Sequence, residues 1–227
     1  MTQKSQAVGQ ALRAAADVYG AFRRAARPGA TERELEAAVL SAAGEHPVRY
    51  DLLSGPRTAG VEGGATERAL EAGDPLLLDL CLRQGEYWCD VCRTYFVGEP
   101  APDARQTYEQ VLRCMRAVAD LLRPGAEAAA IYRAAEAYFA ANGMQGMLKH
   151  HTGHGIGLTP FEPPVETPGS PDVLRAGDIV TVEIGAYAEG RFGIRLEDDY
   201  EITARGAAPL WREPIALQDA VLKEGLR

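Results

Sequence analysis

The chain has 227 residues, of which 46% are hydrophobic and 25% charged, as in a soluble globular protein. Its 32 acidic residues outnumber 24 lysines and arginines, and the formal net charge is -8. With no long basic run and no stretch of 18 apolar residues, we expect no nucleic-acid partner and no membrane partner. The N-terminus lacks an apolar signal-peptide core, and the four cysteines form no disulfide framework. We therefore expect reduced thiols and a cytoplasmic location.

Helical and strand-like stretches alternate along the chain. Apolar spacing predicts helices at 3–26, 31–43, 103–122 and about 131–142. A capping box, Thr31 with Glu34, opens the second helix. Strands are predicted at 48–53, 75–82, 87–97, 179–187 and 192–203, with a turn at Gly85. The Gly/Pro-rich stretch 152–171 is predicted to be a loop, and the tail from Pro209 is too short to interpret.

The order of two helices followed by strands occurs twice. Both helix junctions read Pro-Gly-Ala, at 28–30 and at 124–126. Both second strands begin with Gly-Asp, and five residues after each Asp a carboxylate follows, Asp79 in one case and Glu183 in the other. We predict an α+β fold: one domain over 1–227, built from two pseudo-symmetric halves at about 3–98 and 103–205, with strands packed inside helices.

Four carboxylates lie on apolar strands: Asp79, Asp90, Glu183 and Glu197. A buried carboxylate costs several kcal/mol unless it is paired or bound to a metal. Pairing with Arg93 and Arg195 is one interpretation. A divalent metal site is the favoured one, because the carboxylates recur at matched positions in both halves.

Three of the four histidines lie in one glycine-rich segment, at positions 150, 151 and 154. A surface loop that happens to be rich in histidine is the plain alternative. The flanking glycines instead favour close backbone approach at a site. One imidazole with four carboxylates is a ligand set suited to Mn, Co, Fe or Zn.

Three motifs together resemble the M24 metallopeptidases, and among them the Xaa-Pro aminopeptidases and prolidases: LLLDLCLRQGEYWCDVCRTYFVGEP, HHTGHGIGLTPFEPP and GDIVTVEIGAYAEGRFGIRLEDDYEIT. This resemblance implies the pita-bread fold and two divalent metal ions. By resemblance, Asp79 holds one ion, His154 and Glu183 hold the other, and Asp90 and Glu197 bridge both.

The resemblance also implies roles for residues around the metals. Glu183 is the expected proton shuttle in the attack of water on a peptide carbonyl. Arg195 matches a position that orients a substrate carboxylate or a metal ligand, although a salt bridge to Glu197 or Asp198 is an equally simple role.

The sequence departs from the family pattern at several positions. Phe161 stands where a histidine is usual, and Glu62 replaces a second histidine. His150 or His151 could compensate for these losses. Two cysteines, Cys81 and Cys92, also replace usual residues. On an alternating strand Cys92 shares the face of Asp90, which would place it near the metals and make the protein sensitive to oxidation.

The expected function is that of a dinuclear metal-dependent hydrolase. It would act at the N-terminal residue of short peptides, including Xaa-Pro peptides. Whether the chain forms a homodimer is left open. One alternative is a catalytically impaired homologue that serves as a metal-binding or other binding module. Another is the hydrolysis of a different C–N bond.

Overall fold

The helices follow the sequence prediction closely. The computed structural model describes residues 2–223, and its helices are α1 (Gln3–Ala25), α2 (Glu32–Ala43), α3 (Pro102–Ala119), α4 (Ala128–Ala141) and α5 (Leu217–Ala220). The predicted capping box of α2 is present, because Thr31 and Glu34 each accept the backbone N–H of the other. A 3-10 helix, Gly55–Gly60, follows the first strand.

The strands form one sheet. They are β1 (Val48–Ser54), β2 (Pro75–Gln84), β3 (Tyr87–Val97), β4 (His154–Gly155), β5 (Glu162–Val165), β6 (Ile179–Ala188), β7 (Phe192–Thr203), β8 (Gly206–Pro209) and β9 (Val221–Leu222). Their order is β1-β2-β3-β7-β6-β4-β5, with β8 beside β7 and β9 beside β3. The first half supplies β1-β2-β3, and the second half supplies the remaining strands in mirrored order. This symmetry supports the duplication that we propose for the two halves.

The two halves meet where β3 lies antiparallel to β7. A single regular residue pair, Cys92 with Glu197, joins these strands. Side chains add to the junction: Thr94 Oγ1 accepts the N–H of Arg195 at 2.9 Å and donates to the Arg195 carbonyl at 3.0 Å. Arg93 crosses the junction on the other face and donates to the Glu197 carbonyl at 2.8 Å and to Asp198 at 2.6 Å.

Helices α1 and α3 pack on the sheet, and each contacts the strands of its own half. The apolar stripe of α1 that the spacing predicted is buried, from Val8 through Leu12 to Phe22. The Tyr19 hydroxyl lies 2.8 Å from the carbonyl oxygens of Leu78 and Val91 and so fixes the helix on the first hairpin. The opposite face of the sheet is left for polar side chains.

Two stretches differ from the sequence prediction. The stretch 152–171 is not all loop, since it contains β4 and β5, and β8 extends into the tail at Pro209. The stretch 210–223 contains α5 and β9, while 224–227 lie outside the described residues. Across residues 2–223, no helix is both long and apolar enough to cross a membrane.

Candidate metal centre and cleft

The strand register brings the predicted carboxylates into one row across the sheet. Asp79 on β2 lies opposite Cys92 on β3, which lies opposite Glu197 on β7, which lies opposite Glu183 on β6. Asp90 is two residues before Cys92 and therefore projects from the same face of β3. The row crosses the junction of the two halves, so neither half could form it alone.

The five predicted ligands fall into two overlapping groups. Asp90, His154 and Glu197 form one group, and Asp79, Glu183 and Glu197 form the other. In each group the ligand atoms lie within 4.8 Å of one another. Glu197 belongs to both groups, as expected for a bridging ligand. Glu183 groups with Asp79, whereas the family resemblance assigned Glu183 to the same ion as His154.

His154 is oriented as a metal ligand would be. Its Nδ1 lies 2.9 Å from the Gly155 carbonyl, which can only accept, so Nδ1 carries the proton. The unprotonated Nε2 then faces Asp90 Oδ2 at 3.6 Å and Glu197 Oε1 at 3.8 Å. The glycines of this segment are required for the close approach, because a Cβ at Gly155 would collide with the Pro163 carbonyl oxygen.

The residues present fit a divalent cation. Among the described residues, Asp90 Oδ1 and Glu197 Oε1 are buried and have no hydrogen-bond partner. Buried carboxylate oxygens of this kind are rare unless a cation neutralises them. Oxygen ligands with one imidazole suit Mn, Fe, Co or Zn.

Burial and mutual repulsion perturb these carboxyls. Burial is the largest cause that raises the pKa of Asp90 and of Glu197, and neighbouring carboxylates raise both further. Burial also raises the pKa of Asp79, to about 6, against the opposing charge of Arg195. The row is therefore a poor place for bare negative charge, and bound cations would relieve it.

Arg195 lies on β7 two residues before Glu197 and projects from the same face, but its partners differ from those predicted. Its Nη2 is 3.0 Å from Asp79 Oδ2 and 3.3 Å from Asp51 Oδ2, and its Nη1 is 3.8 Å from Glu183 Oε1. The salt bridge to Glu197 or Asp198 is thus wrong, because Asp198 projects from the other face and pairs with Arg93. Arginine pairing is therefore a feature of the site, beside the unpartnered carboxylate oxygens that fit a cation.

His150 and His151 flank Glu183, at 3.4 Å from Oε1 and 3.2 Å from Oε2 respectively. Only His151 lines the cleft, and burial lowers its pKa to about 4, so it is neutral near pH 7. His150 is held behind Glu183 by the Tyr187 hydroxyl at 2.8 Å. Burial raises the pKa of Glu183, but His150, His151 and Arg195 lower it by more, so the pKa of Glu183 lies below its ordinary value.

The cleft above the row has a volume of about 280 Å³. The two residues that replace the usual histidines both line it. Phe161 is half exposed and stacks on the His154 ring, with ring centres 4.4 Å apart. Glu62 also lines the cleft, and the adjacent Gly63 donates its N–H to Asp51 at 2.9 Å.

Two cysteines near the row differ in exposure to the cleft. Cys92 lies opposite Asp79 and Glu197 and shares the face of Asp90, as predicted. It does not line the cleft, because its side chain is fully buried with Leu53 and Leu77, 3.6 Å from the Arg195 carbonyl. Cys81 lines the cleft instead, with its thiol 2.9 Å from Asp90 Oδ2. Sequence reasoning noted Cys81 only as a replacement. Its position two residues after Asp79, on the same strand face, was the available signal.

The fold and this cluster define a pita-bread protein whose cleft gathers the ligand types of a divalent metal centre. The chain belongs to metallopeptidase family M24, whose family model matches residues 6–204. The similarity extends to curated proteins and to solved structures.

Two curated relatives are similar over most of this chain. A probable dipeptidase PepE of Mycobacterium tuberculosis is 36% identical over 185 residues, covering 79% of this chain and 49% of the relative. An Xaa-Pro dipeptidase of Pyrococcus furiosus is 32% identical, covering 80% of this chain and 54% of the relative. The chain therefore spans about half the length of the curated relatives that it matches.

The crystal structure of dipeptidase PepE from Mycobacterium ulcerans superposes with a TM-score of 0.88 at 33% identity. The match covers 96% of this chain and 60% of that one. The fold predicted from the sequence is thereby confirmed.

Proposed function

We propose that this chain is a dinuclear metal-dependent hydrolase that cleaves after the N-terminal residue of short peptides, Xaa-Pro peptides among them. The observation that carries the proposal is the row of four carboxylates and one imidazole with two buried, unpartnered oxygens, Asp90 Oδ1 and Glu197 Oε1. Family membership and the dipeptidase names of the relatives support the substrate class.

The predicted site residues then have these roles. Asp79, Asp90, His154, Glu183 and Glu197 would hold the ions, which when bound lower the pKa of a water and polarise the peptide carbonyl. Glu183 is kept ionised by its cationic and imidazole neighbours and can accept a proton at Oε2, beside neutral His151. His150 and Arg195 hold the Glu183 carboxylate in place from behind and from the side.

The proposal is tested by measuring bound metal and then hydrolysis of alanyl-proline and a related tripeptide with added Mn²⁺ or Co²⁺. We expect turnover that Asp90→Asn abolishes. Metal binding with no turnover of any peptide would refute the peptidase function.

A catalytically impaired binding module is the second candidate. Phe161 favours it, because a phenyl ring stacked on His154 cannot donate or accept a strong hydrogen bond near the scissile carbonyl. Loss of one such donor typically costs about 100- to 1,000-fold in rate. Tight peptide binding without hydrolysis would distinguish this candidate, and cleavage of a different C–N bond is the remaining alternative.

Two further proposals concern the cellular compartment and the metal ion. Cys81, Cys89, Cys92 and Cys114 are all free thiols, which supports a reducing compartment such as the cytoplasm. Manganese is the ion that we propose to test first, since the ligands are mostly carboxylate oxygens. A homodimer stays a prediction.

A further inference from the structure

Two arginines line the cleft, and one of them is already neutralised. The Arg195 side chain is 4% exposed, and carboxylates of Asp51 and Asp79 lie within 3.3 Å of its guanidinium. The carboxylate of a ligand would have to displace Asp51 or Asp79 to bind Arg195. Arg195 is therefore poorly placed to bind a substrate carboxylate, which is one of the roles the sequence suggested.

Arg49 is the other arginine, and it is exposed at the rim. Among residues 2–223, no carboxylate lies within 4.0 Å of its guanidinium, since it takes part in none of the ion pairs. Its guanidinium carbon lies 5.7 Å from the centre of the Trp88 ring. This contact limits the number of conformations that the side chain can adopt while leaving its donors free.

The distance from Arg49 to the predicted metal ligands sets the length of a peptide that could reach both. Arg49 is two residues from Asp51 on β1, and Asp51 lies opposite Asp79. Two strand residues span about 7 Å. An extended peptide covers about 3.5 Å per residue. A peptide whose scissile bond lies over the ligand row would thus place a residue one or two positions beyond that bond near Arg49.

We propose that Arg49 binds the free C-terminal carboxylate of the substrate and makes the chain selective for dipeptides and tripeptides. This inference rests on the proposed function. Two divalent ions would balance the carboxylates of Asp79, Asp90, Glu183 and Glu197, and Asp51 balances Arg195. Arg49 and Glu62 are the remaining charged side chains of the cleft, and no ion pair joins them, so the Arg49 guanidinium is free to bind a carboxylate. The cleft volume of about 280 Å³ agrees with a short ligand, since it falls at the small end for ligand sites.

The planar guanidinium can hold a carboxylate through two parallel hydrogen bonds, which a C-terminal amide cannot match in charge. Arg83 provides a matched control. Its guanidinium carbon lies 5.5 Å from the centre of the same Trp88 ring, and it is exposed like Arg49, but it does not line the cleft. Substitution of either arginine removes one cation–π contact with Trp88, and only substitution of Arg49 removes a donor from the cleft.

The test uses alanyl-proline in which the scissile carbonyl is replaced by a methylene, so that binding is measured without turnover. The analogue is made with a free carboxylate and with a carboxamide, and each is titrated calorimetrically into Mn²⁺-loaded protein. We expect the carboxylate form to bind at least about 10-fold more tightly than the carboxamide. Arg49→Gln should remove that preference, and Arg83→Gln should keep it.

Three outcomes would overturn the inference: no preference in the wild-type protein, the same preference in Arg49→Gln, or no binding of either form at millimolar concentration. Hydrolysis of ordinary alanyl-proline is measured in parallel. Protein that prefers the carboxylate analogue through Arg49 but leaves alanyl-proline intact would refute the proposed hydrolysis while supporting the carboxylate site.

Discussion

A single thiol helps to hold the carboxylate of Asp90 in place. Cys81 Sγ lies 2.9 Å from Asp90 Oδ2, and burial keeps the pKa of this thiol well above its ordinary value, so it remains a donor. Removal of a group that orients a metal ligand typically weakens metal binding by about 10- to 100-fold. We expect Cys81→Ala to lower Mn²⁺ affinity by at least about 10-fold in a calorimetric titration. Cys114→Ala, which changes a buried thiol of α3, should leave the affinity unchanged.

Substitution of Phe161 tests whether the missing histidine at this position of the cleft limits catalysis. Its ring covers His154 at the position where the family pattern has a histidine. We expect Phe161→His to raise kcat for alanyl-proline by about 100-fold, because it restores one hydrogen-bonding group beside the reacting carbonyl. Phe161→Leu removes the ring without supplying such a group and should show no gain. If both variants gain equally, then steric cover by the phenyl ring, and not the missing donor, is the limit.

At the scale of elements, the junction between β3 and β7 depends on side chains as much as on the backbone ladder. Thr94 Oγ1 both accepts from and donates to the Arg195 backbone. Thr94→Val keeps the shape but leaves these buried groups unpaired, so we expect a loss of about 1–3 kcal/mol in the free energy of unfolding, measured in urea. Thr107→Val is the control, because Thr107 bonds only within its own helix, to the Asp103 carbonyl. An equal loss in both variants would contradict a special role of the junction.

A buried acid directly after β5 makes stability depend on pH. Glu166 Oε2 accepts from Thr152 at 3.0 Å, and burial raises the pKa of Glu166 from 4.5 to about 8. Between these two values the native state binds more protons than the unfolded state, so the free energy of unfolding falls as pH rises. Glu166→Gln removes this contribution to the pH dependence of the free energy of unfolding.

The melting temperature of Glu166→Gln relative to wild type should therefore be higher at pH 8 than at pH 5. Glu162→Gln, at a partly exposed carboxylate at the start of the same strand, provides the comparison. A difference between Glu166→Gln and wild type that does not change with pH would show that Glu166 is not buried in its protonated form.

For the whole molecule, local patterns predicted most of the fold and the carboxylates of the site. Long stretches of regular apolar spacing identified α1 to α4 and the four long strands, and the repeated Gly-Asp motif indicated the duplication. The strands β4 and β5 were missed because two and four residues are too few to show alternation. The partners of Arg195 were missed because Asp51 and Asp79 are more than 110 positions away in sequence and become neighbours only through the sheet register.

The ligand row joins the two halves, and metal binding should therefore stabilise the whole fold. An ion at 100 times its Kd adds about 2.7 kcal/mol to the free energy of unfolding. For a chain of this size that corresponds to a rise of about 5–10 °C in Tm. We expect Mn²⁺ to produce this rise and a chelator to reverse it. Asp90→Asn should abolish the rise, yet leave the metal-free Tm equal or higher, because burial and the Asp79 charge raise the pKa of Asp90 and one repelling charge is removed. A metal-induced rise of the same size in Asp90→Asn would show that the ion binds elsewhere.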